Sequence, residues 1–122
     1  MKADIPNTST RGAQAEEQVV LYLERRHPDF RLIGRNVRFK CGEIDIVYEN
    51  ILPSGARELV FVEVKSSHES MKMAVWNFTP QKRMKMNRAV QVYLSQYSGR
   101  ATEMRMELAV CAGVETQLIP IY

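Results

Sequence analysis

The run LVFVEVK at residues 59–65 constrains the fold more than any other segment of the chain. Its β-branched and aromatic residues suit a pleated strand. A strand this apolar belongs under cover rather than at an exposed edge. Yet Glu63 and Lys65 interrupt it. They stand two residues apart, so both side chains point to one face, and Val62 and Val64 point to the other.

The rest of the pattern supplies the cover. Thr10 is placed to cap a helix over residues 11–26, in which Ala15, Val19, Tyr22 and Leu23 recur at helical spacing. Pro28 ends it. Phe30 and Leu32, then Val37 and Phe39, read as two short strand pieces around a turn at Gly34. GEIDIVY at 42–48 alternates as a strand, and Pro53, Ser54 and Gly55 mark a turn before the LVFVEVK run. Residues 66–80 are irregular. A second helix follows from Pro80 to about Tyr97, with Met86, Ala89, Val90, Tyr93, Leu94 and Tyr97 on one stripe. Strands at 104–112 and 115–119 complete an α-β-β-β-α-β-β order. This is an α/β domain with a mixed sheet over residues 11–122, behind a polar leader at 1–10.

At 122 residues the chain is one domain, and 45% hydrophobic with 25% charged residues excludes a disordered or fibrous protein. Cys41 and Cys111 form no CxxC pair or Cys/His cluster, so neither a zinc site nor a disulfide framework is indicated, and both read as buried strand cysteines. His27 and His68 read as surface residues. The first ten residues lack the apolar core of a secretory signal, and no apolar run approaches the ~20 residues that span a bilayer. The expectation is a cytoplasmic protein with no membrane partner.

Three acids stand out of place. Asp45 lies between Ile44 and Ile46 inside its strand. If the two strands pair about the turn at 53–55, Asp45 comes alongside Glu63. Two adjacent, partly buried carboxylates repel, and burial raises their pKa values. A divalent cation removes the conflict, and Mg²⁺ favours one or two carboxylates with waters and phosphate oxygens. Glu16 falls at the edge of the first helix's apolar stripe, whereas Glu17 faces solvent. Taken alone, Glu16 is what a helix N-terminus favours; it is the conjunction with Asp45, Glu63 and Lys65 that points to metal-assisted phosphodiester hydrolysis.

The positive charge is segregated. Residues 71–102 contain no Asp or Glu but hold Lys72, Lys82, Arg83, Lys85, Arg88 and Arg100. The net charge of +3 therefore divides into +6 there and −3 elsewhere. Lys85 and Arg88 share one flank of the second helix, while Lys82 falls on its core-facing side near Met86. Such a face neutralises phosphates without reading sequence. Trp76 is expected to pack on its own domain, the alternative being a stack on a base.

These residues carry a family resemblance. Ala15-Glu16, Arg35-Asn36, GEID at 42–45, FVEVK at 61–65, Gln81-Lys82 and Arg105-Met106-Glu107 resemble the small bacterial YraN-like proteins. Those are similar to archaeal-type Holliday junction resolvases of the PD-(D/E)XK, restriction-endonuclease-like superfamily. The resemblance implies a core sheet flanked by two helices. It implies Asp45 and Glu63 as metal ligands with Glu16 and the Val64 carbonyl, and Lys65 as the catalytic lysine. Lys82 matches a helix lysine that meets phosphate, with Lys85 and Arg88 beside it. Ala15 replaces a glycine, and Glu107 an aspartate, of the family pattern.

The expected function is a Mg²⁺- or Mn²⁺-dependent DNA endonuclease, with branched or junction DNA as a substrate class and a two-fold homodimer suited to paired cuts. One rival is a non-catalytic nucleic-acid-binding or scaffold protein on the same fold. A second is a protein-interaction module using Met71, Met73 and Met84.

Overall fold

The computed structural model describes residues 8–99, 101 and 103–122, with side chains from residue 12 onward. Its elements are α1 (Thr8–Arg26), β1 (Arg31–Phe39), β2 (Gly42–Ile51), β3 (Arg57–Ser67), α2 (Met71–Trp76), α3 (Pro80–Gln96), β4 (Glu103–Ala112) and β5 (Glu115–Ile121). The strands form one mixed sheet in the order β1-β2-β3-β4-β5. Only β3 and β4 run parallel. A parallel pair needs a long crossover, and the segment holding α2 and α3 supplies it. The result is an α/β fold consistent with a restriction-endonuclease-like arrangement. Among the described residues no helix is long and apolar enough to cross a membrane.

The LVFVEVK run is covered on both faces. Val60, Val62 and Val64 pack with Ala15, Val19, Val20 and Leu23 of α1. Leu59 and Phe61 pack with Met86, Ala89 and Val90 of α3. Val20, rather than Tyr22, completes the buried stripe of α1; Tyr22 stays half-buried with the Arg26 guanidinium 4.9 Å from its ring.

Several expectations change. Helix α1 is already running at Thr8, so Thr10 does not cap it; residues 1–7 of the expected leader lie outside the described residues. The expected pieces around Gly34 are one continuous strand, with a register shift between Leu32 and Gly34. Gly34 therefore marks a bulge rather than a turn, as glycine in a strand often does. The stretch after β3 contains α2, too short at six residues for a periodic signal and buried only through Ala74. Cys41 sits half-buried in the β1–β2 turn; Cys111 is buried in β4 as expected. Met71 packs beside Ala74, Leu108 and Val110, leaving Met73 and Met84 as the exposed methionines of that set.

Gly55 closes the β2–β3 hairpin at φ +85, with Leu52 N–H bonded to the Ala56 carbonyl at 2.8 Å. Gly42 meets a different demand. A Cβ built there would lie 2.7 Å from the Lys85 carbonyl oxygen, a backbone atom that cannot swing aside. Gly42 thus lets β2 seat directly on α3. Gly42→Ala is expected to destabilise the domain by about 2 kcal/mol, the usual scale of overpacking. Urea unfolding checks this; an unchanged midpoint would mean that the strand and helix are not in such close contact.

Candidate metal and phosphate site

Register brings the two acids together. Ile46 pairs with Val62 across β2 and β3, so the next residues, Asp45 and Glu63, face each other. On the other side, Arg35 pairs with Ile46 and Val37 with Ile44, which sets Asn36 opposite Asp45. Asn36, Asp45 and Glu63 thus form one row across three strands. The row is where the sheet loses regularity. Ile44 packs in the α3 layer and Ile46 in the α1 layer, although they are two residues apart, so the alternation of β2 changes phase at Asp45. Here the Val64 N–H donates to the Asp45 carboxylate at 2.8 Å.

Among the described residues three carboxylates, those of Asp45, Glu49 and Glu107, are buried, and their surroundings differ. Glu107 accepts from the Tyr48 hydroxyl at 2.7 Å and has the Arg105 guanidinium at 3.7 Å. Glu49 lies 3.9 Å from both Arg31 and Arg57. Asp45, at 7% exposure, has no cation within 4 Å among the described residues. Burial, then repulsion by Glu63, pushes its pKa up to about 7, against the Val64 hydrogen bond. Burial also raises Glu63, which Lys65 opposes from 3.2 Å. The ion pair of Glu63 and Lys65 follows from their i, i+2 spacing on one strand face.

Glu16 is turned inward as expected, its side chain 14% exposed against 57% for Glu17. Its contacts are with the Asn36 side chain and with Arg35 at 4.0 Å. Burial raises its pKa and those partners lower it. Its negative charge is felt at Asp45. Among the described residues no three His, Cys, Asp or Glu side chains are grouped to hold an ion. The converging pair is Asp45 and Glu63, and two carboxylates suit Mg²⁺, which keeps several waters and takes phosphate oxygens.

Asn36 is the residue that sequence reasoning left without a role. Its φ of 50 is left-handed, a conformation asparagine tolerates better than most side chains. An asparagine inside an otherwise strand-like segment was the available signal. Asn77, the C-cap of α2, is the second. Its carbonyl accepts from the Lys82 amine at 3.0 Å, and its amide donates to the Ser66 carbonyl at 3.4 Å.

Lys82 is not core-facing as expected. The buried stripe of α3 begins only at Met86, and the first turn, capped by Thr79, leaves Lys82 exposed. Its ammonium is nonetheless drawn to the site: neighbouring Lys65, then burial, lower its pKa, and Glu63 opposes them. Lys65, Val64, Lys82 and Asn77 line a cleft of about 770 Å³ between the start of α1 and α2. Lys85 and Arg88 are exposed on α3 as expected. Among the described residues, none of Lys72, Lys82, Arg83, Lys85 and Arg88 lies within 4 Å of a carboxylate, whereas Arg31, Arg35, Arg38, Arg57 and Arg105 of the sheet all do. Arg100 lies outside the described residues.

Comparison with known proteins places this arrangement in a family. The family model described as "Uncharacterised protein family UPF0102" matches residues 15–111, which contain Glu16, Asp45, Glu63, Lys65 and the basic helix. A UPF0102 protein of Ralstonia nicotianae is 29% identical over 116 residues, covering 92% of this chain and 85% of its own length. A UPF0102 protein of Shewanella loihica is 30% identical and covers 90% of both chains. One from Cupriavidus necator is 38% identical over 92 residues, 75% of this chain and 66% of its own. The chain belongs to the UPF0102 family, the YraN-like proteins whose motifs it shares.

Proposed function

We propose that this protein is a Mg²⁺- or Mn²⁺-dependent endonuclease acting on DNA. The observation that carries the reading is the contrast among its buried acids. Glu49 and Glu107 are compensated by arginines, while Asp45 is held beside Glu63 with no cation within 4 Å among the described residues, the Lys65 charge acting on it only from farther away. An uncompensated buried carboxylate is costly unless something binds it.

Asp45 and Glu63 would hold the ion, with Glu16 and the Val64 carbonyl as further oxygen donors once Glu16 leaves Arg35. A divalent cation supplies Lewis-acid polarisation of a phosphoryl oxygen and acidifies the attacking water. Lys65, 3.2 Å from Glu63, would orient that water and offset charge developing on the phosphate. Lys82, Lys85 and Arg88 would grip the backbone. Paired cuts in branched DNA would call for a two-fold dimer.

The test is a cleavage assay on branched, nicked, flapped and linear DNAs with Mg²⁺ and Mn²⁺, run beside Glu63→Ala. Metal-dependent strand scission that the variant lacks supports the reading; no scission of any substrate overturns it. The rival, a non-catalytic DNA-binding or scaffold protein, draws on one fact: among the described residues no three acids are grouped to hold an ion. Calorimetric titration with Mn²⁺ separates the two, since the rival needs no binding.

Binding to DNA should also be strongly salt-dependent. The double variant Lys85→Glu, Arg88→Glu is expected to weaken binding across sequences and to lower the log–log salt slope by about two. A slope unchanged by the double variant would remove α3 from the interface.

A further inference from the structure

We propose that Trp76 is a stacking platform for an unpaired base of single-stranded DNA beside the candidate site. The inference rests on the nucleic-acid reading above and specifies which form of the polymer is held.

Sequence alone favours an indole packed on its own domain, and the structure overturns that: Trp76 is 70% exposed. The cause is helix geometry. Ala74 is fully buried and fixes the rotation of α2, and two residues further along is about 200° around the axis. Trp76 is thereby turned away from the core, and Phe78 packs inward in its place. The short helix is held at both ends. The Ser70 hydroxyl accepts from the Met73 N–H at 3.1 Å, and the Asn77 N–H returns to the Met73 and Ala74 carbonyls. Asn77 is tied in turn to Ser66 and Lys82. So the indole is presented by a braced element.

Its surroundings define the ligand. Trp76 stacks on no ring or cation among the described residues. Lys72 and Met73 precede it by four and three residues, which places them on the same side of the helix. The neighbouring Asn77, with Met73, Lys65 and Lys82, lines the 770 Å³ cleft. Acids are missing from residues 71–102, and the cations there lack carboxylate partners within 4 Å among the described residues. An aromatic face amid uncompensated positive charge fits a polyanion that also offers π-faces. In a duplex those faces are stacked on one another, whereas in a single strand they are free.

Trp76 is the only tryptophan, so its emission reports on this position alone. The test uses the full chain in EDTA, where no strand is cut, at low salt. The probes are a labelled oligothymidylate of about 12 nucleotides, within the usual site size, and a blunt duplex of equal length. Anisotropy measures binding independently of the indole. The single strand is expected to quench the emission and the duplex much less. Trp76→Ala should weaken single-strand binding about tenfold, with duplex binding within about twofold of wild type, and Trp76→Phe should keep most of the affinity. Binding without quenching, equal quenching by both DNAs, or unchanged affinity in Trp76→Ala overturns the stacking platform and leaves the nucleic-acid reading standing. Failure of both DNAs to bind overturns both.

Discussion

Asp45→Ala and Glu63→Ala should each reduce Mg²⁺-dependent cleavage by on the order of a thousandfold or more, since each removes half of the converging pair. DNA affinity should persist, because the basic residues of α3 lie on a separate element. The two positions differ in structural consequence. Asp45 terminates the β2–β3 ladder by accepting the Val64 N–H at 2.8 Å, so alanine there orphans a buried donor. Asp45→Asn keeps an oxygen for that N–H while removing the charge, and is the better variant for separating chemistry from folding. Glu63 makes its ion pair with Lys65 through a side chain 12% exposed, so Glu63→Gln plays the same part there. The measurement is single-turnover cleavage beside thermal melting. A variant that folds and still cuts at the wild-type rate would end the assignment of these acids.

The second large effect is on stability. In the metal-free protein Asp45 carries a pKa pushed to about 7 by burial and by Glu63, against an ordinary value of 3.8. Between those values the folded chain holds a proton that the unfolded chain has released. Stability is therefore greatest near and below pH 4 with respect to this group, and is lost as pH rises through 7. The loss is on the order of a few kcal/mol. Urea melts in EDTA at pH 5 and pH 8 should show wild type less stable at the higher pH. Asp45→Asn should flatten the difference and exceed wild type at pH 8. Mn²⁺ added at pH 8 should restore wild-type stability, because an ion bound only by the folded state stabilises it by mass action, and should do little for Asp45→Asn. Equal stability at both pH values in EDTA would show that the two carboxylates are not in conflict.

The strands and long helices were legible because they bury enough residues to impose a period. Met86, Ala89 and Val90 lie in the core as their spacing implies, and the LVFVEVK run is the covered strand that its composition demands. Glu16 was separable from Glu17 by the angle between them on a helix, and the exposures agree. Helix α2 was not legible, since a single buried alanine carries no period. The exposure of Lys82 is not legible in the same way, because helical phase says which side a residue faces but not that the buried stripe of α3 begins only at Met86. Trp76 differs from its sequence expectation for a related reason: hydrophobicity favours burial, but the inward position of the helix is filled by Ala74.

Sequence by itself determined that Glu63 and Lys65 share a strand face and that positive charge collects after residue 70, since both follow from spacing and composition. Tertiary structure decided that Asp45 meets Glu63, that Asn36 completes their row, and that Glu16 is engaged by Arg35 and Asn36. Those outcomes depend on strand register and on a phase change within β2. Register is a property of paired strands, set by how both faces of the sheet pack, and no single segment contains it.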